Sequence, residues 1–191
     1  TVKINRNFVT KIRNAYKFLN KNSCFESKEI KLDSLSSDKN VWILYLLNSF
    51  MFEVSKNIKL YRFNDAAKEI YKFTKNIYCD WYLEFIKIAL ENNINNELSN
   101  EIKFVSSFVY ISILKISHPF IPFVTDDIYV NSMGNKKYLM ETNWPNRLNI
   151  KLEDSKFKSI EKLISLVSKI RNIKATLKIE PKHISDLFYS T

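Results

Sequence analysis

A single glycine, Gly134, stands in 191 residues, accompanied by four prolines. Only glycine enters the positive-φ region without steric cost, so tight hairpins and phosphate-binding loops draw on it heavily. A sheet-rich fold or a nucleotide-binding α/β fold would need more of it than this chain holds. Helices joined by ordinary loops need almost none. With 46% hydrophobic and 14% aromatic residues, the chain can bury a sizeable core. The expected fold is therefore an all-α helical bundle around one core.

Apolar periodicity places the helices. Phe8, Ile12, Ala15 and Leu19 mark one face of a first helix over about Arg6 to Asn20, followed by a polar loop over 21–37. Asp38 is the expected cap of a second helix, VWILYLLNSFMFEVSKNI, whose apolar surface is broad enough to lie between neighbours. A third helix runs from Asn64 or Asp65 to Leu90, with Ala66, Ala67, Ile70, Phe73, Ile77, Trp81, Phe85 and Ile88 as its stripe. The run ENNINNELSN ends it. A fourth helix, about Glu101 to Ser117, carries Ile102, Val105, Val109, Ile113 and Ile116. Two prolines in HPFIPFVTDDIYV set a sharp corner before another helical turn or two. Gly134 is a hinge point in the irregular 133–145 segment. Lys156 to Lys174 forms the last helix, with Ile160, Leu163, Ile164, Val167 and Ile170 on one face, and ATLKI after it has β propensity.

Lys and Arg outnumber Asp and Glu by 30 to 20, a formal charge of +10. That excess favours a polyanionic partner through long-range attraction and counterion release. Cys24 and Cys79 are far apart and lack metal-ligand spacing, which suits reduced thiols in a cytoplasmic protein. No apolar run is long enough to cross a membrane. Catalytic and metal-binding motifs are absent: the histidines, His118 and His183, are only two, and there is no phosphate loop. Asp126 and Asp127 suit the positive end of the helix after Pro122. Asp80 and Glu84 have the i, i+4 spacing of a paired-carboxylate site, but the Glu-x-x-His partners of helical metal centres are missing.

The stretch YCDWYLEFIK at 78–87 concentrates aromatics, carboxylates and a thiol. Its Trp81 aligns with the apolar stripe, so burial explains it better than base stacking, and Asp80 is placed to accept a bond from another helix. On the first helix, Lys11 and Asn14 share a surface sector that Lys17 continues. Ammonium and amide groups there can hold phosphates or base edges, or form a solvated face. Lys169, Arg171 and Lys174 make a secondary basic patch that also extends to Lys178.

In order, the segments RNFVTKIRNAYKFL, NVWILYLLN, YRFNDAAKEIYKFTKNIYCDWYLEFIK, LKISHPFIPFVTDDIY, NWP and IRNIKA resemble the anticodon-binding domain of class I aminoacyl-tRNA synthetases, the valyl branch above all. The resemblance spans residues 6–175. It implies an anticodon-binding bundle over 1–150, and over 151–191 a C-terminal helix packed on the same domain and the start of a truncated extension. The implied function is recognition of the anticodon stem-loop of tRNA(Val), whose shared anticodon bases are A and C. The implied partners are that tRNA and the catalytic domain of a parent valine–tRNA ligase, in a monomeric cytoplasmic protein with no membrane contact. ATP and magnesium belong to the catalytic domain that would precede residue 1, so the chain itself is expected to need no cofactor and to hold no catalytic residue. A non-enzymatic protein-interaction bundle is the alternative.

The family's NKLWNAARF-like pattern falls on Thr10 to Phe18, where Lys11, Asn14 and Phe18 match. Lys17 replaces an Arg and loses its planar fork of donors, and Arg13 replaces a Trp. The tRNA-binding residues implied are Lys11, Arg13, Asn14, Lys17 and Phe18. A DRWILSRL-like pattern falls on Asn40 to Leu47, with Asn40, Val41 and Leu46 in place of Asp and both Arg. These replacements imply a rewired polar network or altered RNA contacts.

Overall fold

The computed structural model describes residues 2–32, 35–91, 97–134 and 138–180. Contacts divide the chain into two compact units, Thr1–Leu152 and Glu153–Thr191. The first is all-helical among its described residues: α1 (Val2–Lys21), α2 (Asp38–Lys59), α3 (Phe63–Tyr71), α4 (Leu83–Glu91), α5 (Glu97–Ser117) and α6 (Pro122–Met133). A continuous π-helical stretch, Lys72–Tyr82, joins α3 to α4.

The core is organised by α2 and α5. Trp42, Ile43, Leu44, Leu47, Phe50, Met51 and Val54 are buried along α2, which packs on α3 and α5 as its broad apolar surface requires. On α5 the expected stripe is buried throughout, from Ile102 to Ile116. Ile12, Ala15 and Leu19 turn α1 inward, and Tyr110 donates a 2.9 Å hydrogen bond to the Ile12 carbonyl.

Ser37, not Asp38, is the N-cap residue of α2, and its side chain makes no capping bond. The carboxylate that serves this helix end comes from α5. Glu101 accepts from the Ser36 amide (2.8 Å), the Ser36 hydroxyl (2.7 Å), the Ser37 amide (3.0 Å) and the Asn40 side-chain amide (2.8 Å). Asn40 in turn accepts from the Tyr82 hydroxyl at 2.8 Å. Asn40 thus belongs to a buried polar network. Burial alone would push the Glu101 carboxyl up, but the four donors outweigh it and hold its pKa below the ordinary glutamate value.

The long third helix departs from the expected stripe. Ala66, Ile70, Phe73 and Thr74 are buried, but beyond them the buried residues are Tyr78, Cys79, Tyr82, Leu83, Ile86 and Leu90. Trp81 and Phe85 are only half-buried, Ala67 is exposed, and Ile88 is 71% exposed. The cause is the i→i+5 hydrogen bonding of Lys72–Tyr82, which lengthens each turn. Inward positions then recur at steps of five and four, Phe73 to Tyr78 to Tyr82, and the face rotates by about one residue. Tyr78 donates to the Ser106 carbonyl at 2.8 Å, so the phenols expected at the stripe's edge lie at its centre.

Ser117 to Ile121 makes the proline corner, where the His118 ring nitrogen Nδ1 lies 2.9 Å from the Thr125 hydroxyl. Asp126 and Asp127 lie beyond the first turn of α6 and serve tertiary contacts in place of the helix end: Asp126 accepts from the Leu139 amide at 2.7 Å, and Asp127 meets Arg13 at 3.2 Å. Gly134 closes α6 at φ 58°, a left-handed cap that supports the helix stop. The following segment is tied to α2 by Asn48, whose amide donates to the Leu148 carbonyl (2.9 Å) and accepts from its amide (2.8 Å).

The second unit consists, among its described residues, of α7 (Asp154–Thr176) and its cap. Of its apolar face only Ile160 is buried within the chain. The ATLKI stretch forms no strand: Ala175 and Thr176 end the helix, and Lys178 at φ 54° turns the chain so that the Ile179 amide bonds the Lys174 carbonyl. His183 and the segment from Pro181 onward lie outside the described residues.

Candidate nucleic-acid interface

Lys11, Asn14, Ala15 and Phe18 recur at i, i+3, i+4 and i+7 on α1 and form one wall of a groove. Cys79, Leu83, Glu84 and Lys87 form the other wall, from the end of the π-helical stretch and the start of α4. The groove has a volume near 200 Å³. Ala15, Leu83 and Cys79 are buried and make its apolar floor, Phe18 is half-buried, and Asn14, Glu84 and Lys87 are exposed. The rotation of the face by the π turns determines which residues of 79–87 reach this wall.

Lys11 is not a free surface lysine. Its ammonium sits 2.8 Å from Asp80, which also meets Lys75 at 3.5 Å. The hydrogen bond to Asp80 raises the Lys11 pKa against the lowering effect of partial burial, and the nearby Glu84 adds to the rise. The carboxylate therefore fixes the cation at the groove's edge. Burial drives the Cys79 thiol up to about 12 and Cys24 to about 11, and both are unbridged. They stay protonated at neutral pH and offer no nucleophile.

The implied tRNA-binding set thus separates. Lys11, Asn14 and Phe18 come together in the groove. Arg13 points to α6, paired with Asp127, and Lys17 is exposed without lining the groove. In the second unit, Arg171 and Lys174 are three apart on α7 and share a sector, whereas Lys169 lies around the helix from Arg171. Sequence reasoning placed Asp80 to accept a bond from another helix, which Lys11 supplies, but weighed Glu84 only as half of a carboxylate pair and passed over Lys87. The signal was present in the i, i+3 spacing of Glu84 and Lys87, but assigning it to a wall required knowing the π rotation.

The first helix of the bundle thus offers amide, aromatic and ammonium groups beside a shallow cleft. Residues 40–187 match the family model described as the anticodon-binding domain of tRNA ligase. The chain belongs to this family. Over its whole length it is 39% identical to the valine–tRNA ligase of Pelagibacter ubique, covering 22% of that protein. The valine–tRNA ligases of Rhizobium meliloti and Petrotoga mobilis are 33% and 34% identical over 95% and 96% of the chain. The chain spans about a fifth of the length of these curated relatives, 19% to 22%. The family model starts at residue 40, so α1 and its groove wall lie outside that match but inside the alignment with the Pelagibacter protein.

Proposed function

We propose that the chain recognises the anticodon stem-loop of tRNA(Val) and positions it for the catalytic portion of a longer, cytoplasmic and monomeric valine–tRNA ligase. The observation that carries this reading is the α1 groove, where Lys11, Asn14 and Phe18 converge with Glu84 and Lys87. Unpaired loop bases can be splayed into such a cleft, stacked on an aromatic edge and read at their polar edges. Lysines at the rim hold the backbone without specifying sequence. Identity to valine–tRNA ligases along the whole chain supports valine as the amino acid.

The test is salt-titrated binding to tRNA(Val) beside a matched non-cognate tRNA. The K11A/K17A variant should lose affinity while its helical circular dichroism stays intact. Unchanged affinity would move the contact surface away from α1. One observation favours a protein-interaction role alongside: Leu60, Tyr61 and Phe63 are exposed together at the α2–α3 corner, with the rings of Tyr61 and Phe63 6.2 Å apart. Such a corner suits burial against the catalytic portion, and the discriminating result is binding to that portion without tRNA.

A further inference from the structure

Residues 147–152 read RLNIKL, and their burial alternates. Arg147, Asn149 and Lys151 are exposed, whereas Leu148, Ile150 and Leu152 are half-buried. A period of two is that of an extended strand with one face on a core. No partner strand accompanies it among the described residues. One side chain stands in for the partner. Asn48 of α2 donates to the Leu148 carbonyl and accepts from the Leu148 amide, as a paired residue of a neighbouring strand would. In an extended chain the backbone groups of successive residues point to opposite edges. Those of Arg147, Asn149 and Lys151 therefore lie on the edge away from Asn48. Among the described residues, none of them makes a hydrogen bond within the chain.

A groove near 750 Å³ runs beside this strap, with Tyr45, Asn48, Ser49, Phe52 and Glu53 of α2 as its other wall. Tyr45 and Phe52 are two turns apart, both exposed, and give that wall its apolar surface. The charge of the groove is one-sided. Its carboxylate, Glu53, is paired with Lys56 at 3.6 Å, while Arg147 and Lys151 have no carboxylate partner among the described residues.

We propose that residues 147–151 are a docking edge for an extended, acidic segment of a partner protein, which adds to the strap as a strand and lays alternate apolar side chains against Tyr45 and Phe52. Unpaired amides and carbonyls along an exposed edge are a template for such addition. The cations select the occupant. A second copy of this chain, paired antiparallel about Asn149, would set Arg147 opposite Lys151, and like charges directly opposite are destabilising. Carboxylates at those two positions of the incoming strand make the same pairs favourable. A nucleic-acid strand would use both cations but would bring phosphates against the carbonyl oxygens of the edge. This surface shares no lining residue with the α1 groove, so it stands apart from the anticodon reading.

Three capped synthetic peptides serve as probes. One alternates glutamate with valine, a second is the same peptide N-methylated at its glutamates, and a third has lysine in place of glutamate. Binding is read by calorimetry and by amide hydrogen exchange of the chain. Without peptide, the Leu148 amide should exchange slowly and those of Arg147 and Asn149 fast. The glutamate–valine peptide should bind and slow the amides of Arg147, Asn149 and Lys151. The other two peptides should bind about tenfold more weakly, the scale of one or two lost hydrogen bonds. Asn149→Pro removes an outward amide but not the Leu148 pairing, and should weaken the first peptide by a similar factor at an unchanged melting temperature. Arg147→Glu with Lys151→Glu, at two exposed side chains, should reverse the preference towards the lysine peptide. Equal binding of the N-methylated peptide overturns strand addition, as does a glutamate–valine peptide that does not bind. Slow exchange of the edge that rises with the concentration of the chain alone assigns it to a second copy. Protection of these amides by tRNA and not by peptide assigns it to nucleic acid.

Discussion

At residue 40 the amide is dictated by its neighbour. Asn40 is fully buried and donates to Glu101, itself only 4% exposed. An Asp there would set two carboxylates 2.8 Å apart with no donor between them. We expect Asn40→Asp to destabilise the fold by about 3 kcal/mol, the scale of an uncompensated buried charge, read as a lower midpoint in urea at neutral pH. The same network predicts a pH dependence. The Glu101 pKa is lowered on folding, so its contribution is fully present above the ordinary glutamate value of about 4.3. It is lost as pH falls through the lower folded value. Glu101→Gln should therefore flatten the acid limb of stability against pH, and an acid limb identical to wild type would show that Glu101 is not a titrating brace. None of these donors could be paired from sequence, because Glu101 lies more than sixty residues from each of them. The one visible clue was the Asn in place of a family Asp. For Lys11 the sequence placed Asp80 to accept a bond from another helix, but it could not name the lysine that supplies it.

The helices themselves were legible wherever the backbone kept the period of 3.6. Every stripe residue expected on α5 is buried, and α1 follows its pattern at Ile12, Ala15 and Leu19. The reading failed at Lys72–Tyr82, because apolar residues are so dense there that two faces fit. Ile77, Trp81 and Phe85 continue from Phe73 at steps of four, while Tyr78 and Tyr82 follow it at steps of five and four. Their phenols decided the matter by finding buried acceptors at Ser106 and Asn40. A paired substitution tests the rotation. Tyr82→Ala should cost about 3–5 kcal/mol, as expected for a large aromatic removed from a closed core. Trp81→Ala should cost clearly less despite the larger ring. The reverse order in thermal melts would mean that the helix keeps an ordinary α period in solution.

Across the whole molecule, the charge of +10 is the quantity that binding should report. Each phosphate neutralised adds about 0.7–0.9 to the slope of log affinity against log salt. Removing Lys17, an exposed cation, should lower that slope by about one contact. Lys11→Ala should do more than that, since it also leaves Asp80 facing the incoming backbone with only Lys75 beside it. A slope unchanged in both variants would place the phosphate contacts on other lysines. The boundary expected from the resemblance, between residues 150 and 151, lies two residues from the division into Thr1–Leu152 and Glu153–Thr191.

The thiol in the groove floor gives the molecule its own stopwatch. Cys79 is 5% exposed and its pKa is raised to about 12, so an alkylating reagent can modify it only during excursions that part α1 from the helix bearing it. Those openings set the labelling rate. Cys24, buried at a different place beside α5, runs as a second clock in the same tube. A base seated between Phe18 and Leu83 should slow the Cys79 clock and leave the Cys24 clock at its own pace. Mass spectrometry of the two cysteine peptides, with and without tRNA, would then time the groove directly. Equal slowing of both would assign the protection to the fold as a whole.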